Sequence, residues 1–235
     1  MDIETLKQQA GEKAVMLAVK PGMIIGLGTG STAVYATRKI GQLWQAGALP
    51  GIVGVPTSEA TAVEAARFGI PLGTLDTYPM IDVVIDGADE IDPEFNLIKG
   101  LGGALLREKI VATASKRMVV VADARKQVAL LGTRAPVPVE VIRFAVRPCT
   151  DYLASLGARV EKRLSPDGQS YLTDENNYIL DCHFDGIPDP ATLAQAIRQQ
   201  PGVVEHGLFL GLATDVILSA SGGIQILSRP ISNIV

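Results

Sequence analysis

Short apolar runs recur along the chain, and longer amphipathic stretches separate them. Residues 81–85 read Ile-Asp-Val-Val-Ile, 118–122 read Met-Val-Val-Val-Ala, and 23–27 read Met-Ile-Ile-Gly-Leu. Branched aliphatic runs of this length suit strands covered on both faces, where no face needs to be polar. Between them, apolar residues fall at helical spacing over 2–19, about 33–44, about 59–68 and the stretch ending near 114. The first of these stops before Pro21-Gly22, a helix-ending pair. Further strands are expected at 52–55 and, briefly, near 72–75. Strands alternating with helices of this size predict βαβ units and a parallel sheet.

The rhythm changes around Ala135-Pro136-Val137-Pro138. Strands are expected at 139–142, 159–164, 171–173, 178–182 and 203–208, with Ser165-Pro166-Asp167-Gly168 as a turn. Helices are expected at 147–156 and at 191–199, the second opened by Asp189-Pro190. That order approaches β-α-β-β-α-β, the split pattern of ferredoxin-like modules. The expected fold is therefore α/β: an open, mostly parallel Rossmann-like sheet with an inserted smaller α+β, ferredoxin-like domain. The catalytic domain is expected over 1–135 and 205–235, and the small domain over 136–204. The tail, at 213–218 and 224–226, is expected to return as strands to the main sheet.

Composition narrows the function. The 235 residues are 47% hydrophobic and carry a net charge of −4, with no lysine or arginine run. Phosphate-backbone binding needs clustered positive charge, so nucleic acid is not an expected partner. No apolar run reaches the roughly 20 residues of a membrane span, and the first twenty residues lack a signal-peptide pattern. A cytoplasmic protein without a membrane partner is expected. Cys149 and Cys182 are too few for a disulfide framework or zinc site, and two histidines are too few for a histidine metal cluster. His183 and His206, with no serine or cysteine nucleophile signature nearby, are expected to be structural.

The candidate chemistry gathers where strands should end, the place where open α/β sheets bind ligands. Gly26-Leu27-Gly28-Thr29-Gly30-Ser31-Thr32 joins a strand to a helix, and its backbone N–H groups and hydroxyls could hold an anion or simply cap the helix. The dinucleotide fingerprint needs glycine at Ser31, and no Gly-Lys-Ser/Thr follows, so a phosphate on a small molecule suits the loop better than a nucleotide. Asp86 and Asp89 flank Gly87-Ala88 after the 81–85 strand, and both carboxylates could meet one ligand. A magnesium site using one or two of them stays open. Glu90, Asp92 and Glu94 are expected to form a solvated acidic turn.

Lys99 opens a second glycine-rich loop containing Gly100, Leu101, Gly102 and Gly103, where a cation beside free N–H groups could stabilise an oxyanion. Glu108 has Ala104, Leu105, Val111 and Ala112 at helical spacing. Apolar surroundings disfavour a charged carboxylate and raise its pKa toward the range useful for proton transfer. Arg107 has similar neighbours, and periodicity does not decide which of the two faces inward. Lys126 follows the 118–122 strand, either near a phosphate or solvated.

Taken together and in order, Gly28 to Thr32, Asp86-Gly87-Ala88-Asp89-Glu90, and Lys99 to Gly103 with Arg107-Glu108-Lys109 resemble the signature segments of type A ribose-5-phosphate isomerases. Ala122 to Gln127 and Gly202 to Phe209 also resemble that family, so the likeness covers nearly the whole chain. The resemblance implies interconversion of ribose 5-phosphate and ribulose 5-phosphate in the pentose phosphate pathway, with no metal and no cofactor. It implies a catalytic set of Glu108, Asp86, Lys99 and Asp89, in which Glu108 moves the proton between C1 and C2, Asp86 contacts the substrate and assists ring opening, and Asp89 and Lys99 bind substrate. Lys99 would also steady the charge on the intermediate. It further implies substrate contacts at Thr29, Gly30, Ser31, Thr32, Gly87, Ala88, Gly100, Leu101, Gly102 and Lys126. Leu101 departs from members that carry glycine there. A sugar phosphate is the expected partner, and a homodimer or homotetramer the expected assembly. A non-catalytic sugar-phosphate sensor is the alternative; it would not need Glu108.

Overall fold

The computed structural model describes residues 2–229. In chain order its main elements are α1 (Ile3–Ala18), β1 (Ile24–Leu27), α2 (Ala33–Gln45), β2 (Val53–Pro56), α3 (Glu59–Arg67), β3 (Val83–Gly87), β4 (Glu90–Ile91), β5 (Leu97–Ile98), α4 (Leu105–Thr113) and β6 (Met118–Asp123). They continue with β7 (Val137–Val141), α5 (Val146–Ser155), β8 (Arg159–Lys162), β9 (Tyr178–His183), α6 (Pro190–Arg198), β10 (Val203–His206), β11 (Leu208–Phe209), β12 (Asp215–Ala220) and β13 (Gly223–Ser228). Within the described residues, two compact units form. The first contains everything up to Gly87, Val111–Arg125 and the chain from Leu212 onward; the second contains Ala88–Ile110 and Lys126–Gly211.

The first unit is built on a six-stranded sheet in the order β13-β12-β6-β3-β1-β2. All neighbours are parallel except β13, which pairs antiparallel with β12. All six residues of β6 are buried, as the unbroken Met118–Ala122 run predicts for a central strand. Helix α1 starts at an N-cap, where Asp2 accepts a bond from the Thr5 amide at 2.8 Å. Its Ala10, Ala14, Val15 and Ala18 join Ile25, Leu27, Ile85, Val119, Val121 and Ile217 in one apolar core. Gly26 is where the chain tolerates no side chain: a Cβ there would lie 2.7 Å from Val84 Cβ and 2.8 Å from Val111.

In the second unit, β7-α5-β8-β9-α6-β10 fold as the split ferredoxin-like pattern, with an antiparallel sheet in the order β10-β7-β9-β8. Val137, Val139, Val141, Leu180 and Cys182 of the sheet pack with Cys149 and Leu153 of α5 and Ile197 of α6. Burial pushes both thiols above their usual pKa, which fits packing cysteines rather than nucleophiles. The module expected at 136–204 lies inside this unit, which also takes in 88–110, 126–135 and 205–211.

Local expectations failed where tertiary pairing intervened. The strand expected near 72–75 reduces to one bridge, Leu72 with Gly54, and 171–173 forms no strand. The strand expected at 203–208 splits at Gly207, because β10 pairs with β7 whereas β11 pairs with β5. At the switch, the Gly207 amide donates to Pro138 O at 2.7 Å and its carbonyl accepts from the Lys99 amide at 2.9 Å. Strands β11, β5 and β4 form a small antiparallel sheet with no counterpart in the sequence prediction. Glu90, expected in a solvated turn, is 1% exposed. Its carboxylate accepts the amides of Gly132 (2.6 Å), Arg134 (2.6 Å) and Ala135 (2.7 Å), so it pins the loop before β7.

Candidate active site

In the first unit, β3 ends in Asp86, 1% exposed. Its Oδ1 accepts from the Thr29 amide at 3.1 Å and the Gly87 amide at 2.8 Å, which joins the end of β3 to the glycine-rich loop after β1. The two segments lie so close that a Cβ on Gly28 would clash with Asp86 Oδ1 and Ile85 O. The Thr29 hydroxyl faces Thr57 Oγ1 (2.7 Å), Ser58 Oγ (2.8 Å) and Thr61 Oγ1 (3.1 Å). Those three residues, at the start of α3, were not singled out from the sequence, because nothing local ties them to Thr29. Gly30 and Ser31 stand exposed at the loop's crest, with Gly30 at φ 112°. Thr32 occupies the N-cap position of α2, but its side chain makes no capping bond, contrary to the capping role its type suggests.

In the second unit, Lys99 follows β5 and is 2% exposed, while Glu108 sits in the first turn of α4 at 4%. Lys99 Nζ lies 3.2 Å from Glu108 Oε1. The two helical neighbours that periodicity could not separate are now resolved: Arg107 reaches outward to Glu175 at 2.6 Å, whereas Glu108 is the inward group. A carboxylate taken this far from water needs a partner, and the ammonium offsets that desolvation. Asp89 accepts the Leu101 amide at 3.0 Å, which anchors the lysine loop to the turn after β3. The Leu101 side chain is 44% exposed. Lys126 Nζ stands 4.0 Å from Asp89 Oδ1, its side chain 38% exposed.

The ferredoxin-like module braces this loop, which no sequence pattern foretold. Arg163 donates to the carbonyls of Gly100 (2.8 Å) and Leu101 (3.1 Å), and its guanidinium is held by Asp181. Gly100 and Gly103 have φ of 106° and 84°, left-handed conformations that side chains resist. Both ammoniums, Lys99 and Lys109, lie over the ring of Phe209, at 5.4 and 4.8 Å from its centroid. Among the described residues, no group of three or more His, Cys, Asp or Glu side chains is arranged to hold a metal ion. No helix there is long and apolar enough to cross a membrane.

An α/β fold with carboxylates at strand ends, and a buried Glu–Lys pair beside a glycine-rich turn, defines an enzyme of the acid–base class. Comparison with known proteins gives the particular one. Residues 53–223 match the family model of ribose 5-phosphate isomerase A (phosphoriboisomerase A). The ribose-5-phosphate isomerase A of Roseiflexus castenholzii is 51% identical over 230 residues, covering 98% of both chains. A probable chloroplastic ribose-5-phosphate isomerase of Arabidopsis thaliana is 47% identical, covering 96% of this chain and 84% of its own. The solved ribose 5-phosphate isomerase of Plasmodium falciparum superposes with a TM-score of 0.94 at 37% identity, over 97% of this chain and 99% of that one. A D-ribose-5-phosphate isomerase solved with phospho-erythronic acid also gives a TM-score of 0.94, at 38% identity, over 97% of this chain and 100% of that one. The chain belongs to the ribose 5-phosphate isomerase A family.

Proposed function

We propose that the protein interconverts D-ribose 5-phosphate and D-ribulose 5-phosphate, without a metal or cofactor, as a cytoplasmic enzyme of the pentose phosphate pathway. The observation that carries this is the buried Glu108–Lys99 pair at 3.2 Å, in a chain of the isomerase A family. In the forward direction Glu108 takes the proton from C2 of the open aldose. Electrons move into a C1–C2 double bond, and the carbonyl oxygen on C1 gains negative charge beside Lys99. Glu108 then returns the proton to C1, and the C2 hydroxyl proton passes to the C1 oxygen as the ketone forms, so atoms and electrons balance. A positioned general base and a fixed cation are the two terms such a step needs.

Asp86 serves ring opening, with its Oδ1 oriented by the Thr29 and Gly87 amides. Asp89 and Lys126 bind substrate, together with Gly87, Ala88, Gly100, Leu101 and Gly102. Thr29 to Thr32 hold the phosphate, supported by the exposed crest at Gly30 and Ser31. Phosphate binding supplies remote energy that helps to position a sugar substrate. The ligand of one solved relative, phospho-erythronic acid, combines a phosphate with a carboxylate, the pair of negative charges that an enediolate sugar phosphate also carries. A non-catalytic sensor would have no use for a buried acid–ammonium pair, and nothing in the relatives favours it. We further propose a homodimer or homotetramer, because Phe144 is 96% exposed and Ile142, close by in the chain, is 43% exposed.

The test is ketose formation from ribose 5-phosphate in the presence of EDTA, for the wild type and for Glu108→Gln. Full activity with chelator is expected, with turnover down by about 10²–10⁴-fold in the variant. Near-normal turnover in Glu108→Gln would remove that residue from its role.

A further inference from the structure

Lys109, next to Glu108 on α4, is buried as well, at 8% exposure. Its ammonium donates to the His206 carbonyl at 2.5 Å and to Glu205 Oε1 at 2.8 Å, and lies 3.3 Å from His206 Nδ1. Glu205 also receives the His206 amide at 2.8 Å and the Arg198 guanidinium. The next carbonyl along the chain, that of Gly207, accepts the Lys99 amide at 2.9 Å. Successive carbonyls at the β10–β11 junction therefore hold the residue after Glu108 and the backbone of Lys99. The two ammoniums rest on the same Phe209 ring. The junction is irregular where it does this: register shifts in β10 between Val203 and Glu205, and a Cβ on Gly207 would clash with Lys99 O.

Stability alone does not explain such a cluster. Buried ion pairs replaced by apolar residues of similar volume commonly leave a fold as stable or more so, while in some proteins such groups serve to fix one geometry. We propose that Lys109 is a positioning residue: through the Glu205–Phe209 segment it sets the separation of the Glu108 carboxylate and the Lys99 ammonium. This inference rests on the roles proposed above for Glu108 and Lys99. Its consequence is that the base and the cation move as one body, because α4 and the lysine loop are fastened to the same five residues.

The experiment compares Lys109→Met and Glu205→Gln with the wild type, using ribose 5-phosphate carrying hydrogen or deuterium at C2. A kcat lower by about 10- to 100-fold is expected, with KM within about threefold and a larger deuterium effect on kcat, as displacement of a base by ~1 Å would give. A filler role for Lys109 would reduce only the folded fraction, leaving both the isotope effect and kcat per folded molecule unchanged, and that result overturns the proposal. Should Lys109→Met not fold, the double variant Lys109→Met/Glu205→Gln, which removes both charges, is read in the same way. If Glu108→Gln loses turnover while these variants do not, the clasp fails and the isomerase assignment stands. If Glu108→Gln keeps its turnover, that assignment itself has failed.

Discussion

His206 owes its state to burial first and to the neighbouring Lys109 ammonium second; together they pull the imidazole down to about 3. Its Nδ1 lies 3.3 Å from the donating Leu208 amide, which places the ring proton on Nε2. Between the usual 6.5 and this folded value, the unfolded chain binds a proton that the folded chain refuses. Stability from this group is therefore complete above about pH 6.5 and is lost progressively as pH falls toward 3. Urea unfolding at pH 7 and pH 5 should show the wild type losing about 2 kcal/mol more than His206→Gln does. Equal losses in the two proteins would mean that the ring is protonated in the folded state. The same scale separates Glu90 from its acidic neighbours: it receives three backbone amides, whereas Asp92 accepts the amides of Glu94 and Asn96 within its own turn. Side-chain type could not distinguish them.

Among the elements, the pair β1 and β3 shows how little room the site's backbone leaves. The Gly28 amide donates to Ile85 O at 3.0 Å, and a Cβ at 28 would come 2.6 Å from Asp86 Cα. Gly28→Ala should destabilise the protein by about 1–3 kcal/mol, the range for overpacking a tight contact. Because the contact is with Asp86, its kcat/KM should fall as well. Thermal melts together with initial rates check both, and a variant equal to the wild type in each would show that the strands separate freely. Most elements were legible in the chain. The Met118–Ala122 run is a central strand because nothing polar interrupts it, and α6 begins at Pro190 because Asp189 caps the Thr192 amide. The two-residue strands β4, β5 and β11 were not legible. β4 and β5 pair through only two residue couples, too few to show a period, and β11 meets β5 from more than a hundred positions away, Leu208 with Ile98 and Phe209 with Leu97.

For the whole molecule, assembly is the open physical question. Phe144, at 96% exposure, leaves a large aromatic surface in water unless another chain covers it. Light scattering should give a mass that is a multiple of the 24.8 kDa chain, and Phe144→Asp should shift it toward a single chain. A wild-type mass of one chain at micromolar concentration would end the homo-oligomer proposal. By itself the sequence determined the alternation of strands and helices, the ferredoxin-like order of elements and the glycine-rich turns where strands end. These follow from side-chain period, turn chemistry and residue type, all of which are local. Only the tertiary structure decided that Glu108 rather than Arg107 faces inward, that Glu90 is buried, and that Arg163 and Phe209 contact the lysine loop. Each of those outcomes depends on a partner brought from far along the chain, and a helix or strand pattern carries no information about which distant surface it will meet.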